Sequence, residues 1–317
     1  MLTYILFAVG FVFLIKGADY LVDGSSSIAQ RLGISQLVIG LTIVSFGTSA
    51  PELIVNIMAS LKGASDIGIG NVLGSNIANI LLILGVSGAI YPLLIKKSTT
   101  WKEVPLNFLS AVVLLVLAND IFIDKGAGDI LSRSDGLILM FFFVIFIYYT
   151  IGLAKSEINQ NGELPEHGIL KSVIMVVVGI VALAYGGQWV VNGAIDIASY
   201  FGVSQTLIGL TVVAVGTSLP ELATSAVAAY KRNADIAIGN VVGSNLFNVF
   251  WVLGLSAVIR PMPFKPEINT DIFVYIGATL LLFIFAFTGK KNHVSRSDGI
   301  IFLCCYAAYI VFLIMRG

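Results

Sequence analysis

GISQLVIGLTIVSFGTSAPELIVNIMASLKGASDIGIGNVLGSNIANILLILGVSGAIYP, residues 33–92, is answered later in the same chain. Residues 202–261 read GVSQTLIGLTVVAVGTSLPELATSAVAAYKRNADIAIGNVVGSNLFNVFWVLGLSAVIRP. The two align without a gap at a constant offset of 169 residues, and 31 of the 60 pairs are identical. Identity of that density marks an internal duplication. A weaker echo closes each half, SRSDG at 132–136 and again at 295–299.

The surrounding composition sets the solvent. Of 317 residues, 57% are hydrophobic and only 11% charged, with 18 Lys+Arg balancing 18 Asp+Glu. A soluble domain carries about 25% charged residues. The chain is therefore not a soluble globular enzyme, a disordered protein or an electrostatic nucleic-acid binder. Two cysteines exclude a disulfide scaffold; Cys304 and Cys305 are neighbours in an apolar run and read as packing residues.

A membrane helix needs about 20 apolar residues. Ten such stretches occur, near 2–22, 33–60, 66–92, 104–120, 134–154, 170–192, 203–230, 236–260, 271–288 and 297–315. The sequence thus predicts an all-α integral membrane protein of ten transmembrane helices. The first stretch lacks the preceding positive charge and the small-residue cleavage site of a secretion signal. The polar segment from Lys155 to His167 reads as a linker. It divides the chain into an N-terminal five-helix repeat with linker, 1–160, and a C-terminal five-helix repeat, 161–317.

Charge sets the orientation. With the N-terminus outside, inner loops hold Arg31, Lys96, Lys97, Lys102, Lys155, Lys171, Lys231, Arg232, Lys290, Lys291 and Arg296. The outer side then holds Lys62, Lys125, Arg133, Arg260, Lys265 and Arg316, a smaller set. Lys and Arg accumulate inside, so both termini are expected outside. Five spans per half is odd, so the second copy enters the membrane upside down. Inverted repeats mark secondary transporters, whose substrate site lies near the midplane between the halves.

The repeated motifs carry unusual residues for such a place. Glu52 and Glu221 each interrupt an apolar span. A carboxylate at that depth is costly unless it faces protein or water. Pro51 and Pro220 precede them, break the helix and free carbonyls at Gly47 and Gly216. Thr48 and Glu52 are four apart, as are Thr217 and Glu221, which predicts a shared face. Asn71, Ser75 and Asn79 form a polar stripe at spacing four, and Asn240, Ser244 and Asn248 repeat it. Ser75, Asn79, Ser244 and Asn248 read as cavity lining. Asn71 and Asn240 read equally well as lining or packing, and the intervening Gly70, Gly74, Gly239 and Gly243 as close helix contacts.

Every candidate ligand is an oxygen. The two histidines, His167 and His293, lie in loops. That points to a hard cation rather than zinc or copper. Calcium, with about 6–8 oxygens, fits two carboxylates better than magnesium; sodium can use the same hydroxyls and carbonyls. Asp19, Asp23 and Asp196 are not repeated and read as interfacial. The run Phe141–Tyr149 reads as lipid-facing or packing.

GTSAPE…GNVLGSNIAN and GTSLPE…GNVVGSNLFN resemble the two alpha repeats of the calcium/cation antiporter superfamily, and most of all its prokaryotic sodium/calcium exchangers. The resemblance spans nearly the whole chain. It implies exchange of sodium for calcium by alternating access, with about three sodium ions per calcium, hence electrogenic. It implies that Glu52 and Glu221 are shared ligands for both ions. Thr48, Ser49 and Ser75 of the first copy join them, with Thr217, Ser218 and Ser244 of the second. Asn79 and the backbone carbonyls of Ser45 and Ala214 are implied as well.

Asn248 stands where some relatives, including the potassium-dependent branch, have Asp; this counts against potassium co-transport. Ser45 replaces a common Ala, a mild change if only its carbonyl binds. The motif around the central glutamates favours sodium over proton coupling. The calcium-sensing insert of animal exchangers is absent, so regulation of that kind is not expected. The resemblance also implies a prokaryotic cell (inner) membrane.

The glycine-bearing first and sixth spans, with Gly10, Gly17, Gly179, Gly186 and Gly187, would slide as a pair across the rest. Protonating either glutamate should block binding, so activity should fall in acid. The transported ions, calcium and sodium, and the bilayer are the expected partners; no cofactor, nucleic acid or protein partner is expected. The competing readings are proton/calcium or potassium-dependent exchange and a cation channel. An intramembrane enzyme using the two glutamates lacks any nucleophile–histidine arrangement.

Overall fold

The computed structural model of the protein describes residues 2–125, 128–156, 167–202, 214–287 and 292–316. Helices dominate, with four two-residue strands. In chain order they are α1 (Leu2–Leu32), α2 (Gln36–Thr48), α3 (Ala50–Lys62), α4 (Ser65–Ile90), α5 (Glu103–Leu117) and α6 (Arg133–Ser156) in the first half. The second half has α7 (Ile169–Tyr200), α8 (Leu219–Tyr230), α9 (Ala234–Ile259), α10 (Asn269–Phe287) and α11 (Arg296–Arg316). Among the described residues, eight helices are long and apolar enough to cross a membrane, and α2 with α3, bent by 48°, makes a ninth. The expected seventh span, 203–230, falls partly on residues 203–213, outside the described residues, as does most of the expected linker 155–167. This is an all-α, multi-pass membrane protein.

α1 and α7 are longer than their apolar runs suggest, at 31 and 32 residues. Helix continues past the acids of α1 through Ser25, Ser26 and Ser27, and Asp19 and Asp23 both pair with Lys231. The two long helices cross on glycine. A Cβ on Gly179 would lie 2.7 Å from the Gly17 carbonyl oxygen, and one on Gly10 would lie 2.9 Å from that of Gly186. Only hydrogen in those places lets the backbones touch.

The motif helices α4 and α9 form the buried centre, flanked by α2, α3, α8 and α10. Gly239 of α9 meets the backbone of α2 at Leu37 and Gly40. α6 and α11 lie outermost. Each starts on the repeated SRSDG: Asp135 Oδ2 accepts from Ser132 N at 2.8 Å, and Asp298 Oδ2 accepts from Ser295 N at 2.8 Å. These reciprocal caps satisfy N–H groups that a helix start leaves open. The run 141–149 divides between lipid and interior. Phe141 and Tyr148 are exposed, Phe146 is buried, and Phe143 packs on Phe46, Phe247 and Trp251.

Two short antiparallel ribbons join the halves. β1 (Leu93–Leu94) pairs with β4 (His293–Val294), and β2 (Ile130–Leu131) with β3 (Met262–Pro263). Beside them, Lys96 pairs with Asp235 at 2.8 Å and Lys265 with Asp66 at 2.7 Å. The second ion pair is the first displaced by the repeat offset.

Candidate cation-binding site

The helix break comes where the prolines require it. Ser49 (φ −84°, ψ 10°) and Ser218 (φ −85°, ψ 5°) are N-caps with the same conformation, and Pro51 and Pro220 sit in the first turns of α3 and α8. Proline has no N–H to leave unpaired there. Each break delivers a glutamate to the centre: Glu52 and Glu221 are both buried. The helices opposite carry π-type turns beginning at Asn79 and Phe247, the second taking in Asn248. Such turns widen a helix locally and recur at functional sites.

The copies hold one another through side chains. Thr48 Oγ1 donates to Asn240 Oδ1 at 3.0 Å, and Thr217 Oγ1 to Asn71 Oδ1 at 3.3 Å. These are one bond seen twice under the repeat. Asn71 and Asn240 thus position the other copy's threonine. Ser49 Oγ donates to Glu221 Oε1 at 2.7 Å, and Ser75 Oγ to Glu52 Oε1 at 3.4 Å. The bend at Ser49 intervenes between Thr48 and Glu52, so Thr48 reaches Asn240 rather than sharing a straight helical face with its own glutamate.

Four asparagines close a ring between α4 and α9. Asn76 Nδ2 donates to the Asn245 carbonyl at 3.2 Å, and Asn245 Nδ2 returns to the Asn76 carbonyl at 3.4 Å. Asn79 Nδ2 donates to Asn245 Oδ1 at 2.9 Å, and Asn248 Nδ2 to Asn76 Oδ1 at 3.1 Å. The motif stripes at spacing four omit Asn76 and Asn245. Their signal was a buried amide at matching positions in both copies, one residue beyond Ser75 and Ser244.

Several buried oxygens remain without a hydrogen-bond partner: Glu52 Oε2, Glu221 Oε2, Ser218 Oγ, Ser244 Oγ, Asn79 Oδ1 and Asn248 Oδ1. Buried acceptors in such number, drawn from both copies, fit a hard cation as transported cargo. Among the described residues no group of three His, Cys, Asp or Glu could hold a metal, so the charge available here is that of two carboxylates. The Ser45 carbonyl does not join the open set: it accepts from Thr48 Oγ1 at 3.2 Å and Ser49 N at 3.0 Å. Ala214 opens the short turn Ala214–Gly216, ahead of Ser218. A cavity of about 170 Å³ adjoins the breaks, lined by Pro51, Val55, Gly187, Gln188, Thr217 and Pro220 among others.

Asp19 and Asp23 lie within α1, which continues beyond them to Leu32. Asp196 lies beside Asn192 and Trp189. None of the three reaches the glutamates.

Known proteins resemble this chain over its length. The family model described as sodium/calcium exchanger protein matches residues 2–152 and 171–315. The sodium/calcium exchanger MaX1 of Methanosarcina acetivorans is 34% identical over 98% of both chains. The inner membrane protein YrbG of Escherichia coli (strain K12) is 38% identical over 84% of this chain and 82% of its own. Among solved structures, the sodium-calcium exchanger NCX_Mj soaked with Na+ and Ca2+ superposes with a TM-score of 0.84. It is 32% identical, with 98% of both chains covered.

Proposed function

Because the chain belongs to the sodium/calcium exchanger family, we propose that its two glutamates bind calcium and sodium in turn and that the protein exchanges one for the other by alternating access. The supporting observation is the shell of unpartnered oxygens on Glu52, Glu221, Ser218, Ser244, Asn79 and Asn248, held between two copies of one motif. Thr48, Thr217, Ser49 and Ser75 complete the proposed site, with the carbonyls of Ser45 and Ala214 joining where the helix breaks rearrange. The relatives named for their activity are exchangers, transporters rather than enzymes.

Two carboxylates give the empty site a charge near minus two. One calcium neutralises it. Three sodium ions overshoot by one charge, so the cycle is electrogenic and responds to voltage. A bare pair of carboxylates is costly away from water, and this cost discourages the empty carrier from switching sides. Switching is thereby tied to a bound ion, which is what separates exchange from leak. Asn248 supplies a neutral oxygen while its nitrogen is engaged with Asn76 Oδ1, which supports potassium-independent coupling.

The proposed architecture is ten spans in two inverted five-helix repeats, 1–160 and 161–317, with both termini outside the cell (inner) membrane. The paired bonds Thr48–Asn240 and Thr217–Asn71, and the paired ribbons, support two equivalent halves.

Liposomes loaded with sodium and diluted into sodium-free buffer with labelled calcium test the coupling. Uptake driven by the outward sodium gradient alone, generating a membrane potential, is expected. Uptake requiring potassium, or driven by protons, overturns the coupling and keeps the site. Uptake without any counter-ion gradient makes the protein a channel.

A further inference from the structure

The ion pairs Lys96–Asp235 and Lys265–Asp66 are equivalent under the repeat. A third ion-pair arrangement is not. Lys231, at the C-terminal end of α8, holds Asp19 Oδ1 at 2.5 Å and Asp23 Oδ1 at 2.6 Å. The two aspartates are four residues apart and share a face of α1. Burial opposes the Lys231 charge, but hydrogen bonds and attraction from both carboxylates outweigh it and raise the ammonium above its usual range. The equivalents of Lys231, Asp19 and Asp23 are Lys62, Gln188 and Asn192. The positions of α7 equivalent to Asp19 and Asp23 therefore offer Lys62 no carboxylate, and Gln188 Nε2 donates to Asn192 Oδ1 at 2.8 Å instead.

Packing follows the same asymmetry. On the Lys231 side α1 lies along α8, with Ala18, Leu21 and Val22 buried. On the other side Gln188 and Gly187 of α7 border the cavity beside Pro51 and Val55 of α3. One mouth is held by the ion pair between α8 and α1; at the equivalent mouth a cavity lies between α7 and α3, with no ion pair across it among the described residues.

We propose that Lys231, clasped by Asp19 and Asp23, is a one-sided latch that fastens the α1–α7 pair over the site at one mouth and so sets which side of the membrane the site faces at rest. The latch rests on the alternating-access reading above. Opening that mouth separates Lys231 from both aspartates, whereas closing the Gln188 mouth brings Lys62 to two amides, Gln188 and Asn192, in place of two carboxylates. Partly exposed pairs are modest, so losing this one shifts the ratio of the two states by about fivefold.

Val55, which lines the cavity, and Thr224, its buried equivalent on α8, report the two mouths. In a Cys304→Ser, Cys305→Ser background, each is replaced singly by cysteine (V55C, T224C). Labelling by a hydrophilic thiol reagent is timed in detergent, where both mouths meet the reagent. Adding Lys231→Gln should slow labelling at position 55 and speed it at 224, changing their ratio about fivefold. Asp19→Asn with Asp23→Asn should do the same, and Lys231→Arg should keep the original ratio. If sodium and calcium shift the labelling but Lys231→Gln does not, the latch is refuted and alternating access stands. If labelling responds to no ion even with Lys231 intact, alternating access fails and takes the latch with it. Equal loss of labelling at both positions, with a lower melting temperature, makes Lys231 a structural residue and also refutes the latch.

Discussion

The amide ring between α4 and α9 and the face that α1 and α7 turn toward the motif helices are built on opposite principles. The ring is polar, directional and the same from either copy: each of its four Nδ2 atoms has an acceptor in the other half. Where α7 crosses the helix breaks its contacts are apolar: Ile180 lies over Gly47 and Val191 over Gly216, with side chains on bare backbone. Hydrogen bonds resist displacement because each is tied to a direction, while apolar contacts re-form after a shift. The contrast teaches where motion is permitted. The centre is stitched, the two long helices are locked to each other by glycine, and between these bodies lie smooth contacts and the Lys231 pair.

Breaking the stitched side at its charges has the largest expected effect. Glu52→Gln with Glu221→Gln should reduce sodium-driven calcium flux to the level of empty liposomes; surviving flux removes the glutamates from the mechanism. Next comes the glycine lock. Gly179→Val forces α1 and α7 apart, because the new Cβ meets the Gly17 carbonyl at 2.7 Å. Transport should fall by an order of magnitude while calcium still raises the melting temperature. Loss of both signals together would make the crossing a folding element instead.

The ring itself is the third target. Asn245→Ala strips Asn79 Nδ2 of its acceptor and should cost about 1–3 kcal/mol, the penalty of a buried unpaired polar group. Melting with and without calcium measures it. Lys96→Ala is the smallest, below about 1 kcal/mol, since its pair with Asp235 is partly exposed. An effect of Lys96→Ala as large as that of Asn245→Ala would erase the distinction between stitched centre and dispensable rim.

Much of this was legible in the sequence. The duplication, the apolar runs and the paired glutamates follow from periodicity and from the cost of charge in a bilayer. The α1–α7 crossing was visible as glycines, although their facing partners were not. What escaped was whatever depends on how the copies meet. Asn76 and Asn245 sit one position off the polar stripe, and only the crossing of α4 with α9 gives each its acceptor. Asp19 and Asp23 read as isolated interfacial acids, because the lysine that pairs with both is Lys231, far along the chain. Single-copy reasoning sees a costly residue and cannot see its partner.

The two ribbons bear on how such a chain is made. β1 of the first copy waits for β4, and β2 waits for β3, so neither ribbon forms until the second copy of the motif has been made. The Asn79 amide likewise finds its acceptor only when α9 arrives. A ribosome delivering this protein from its N-terminus therefore releases a first half with open strand edges and unpaired polar groups. Assembly is a late, collective event rather than the sum of two independently finished halves.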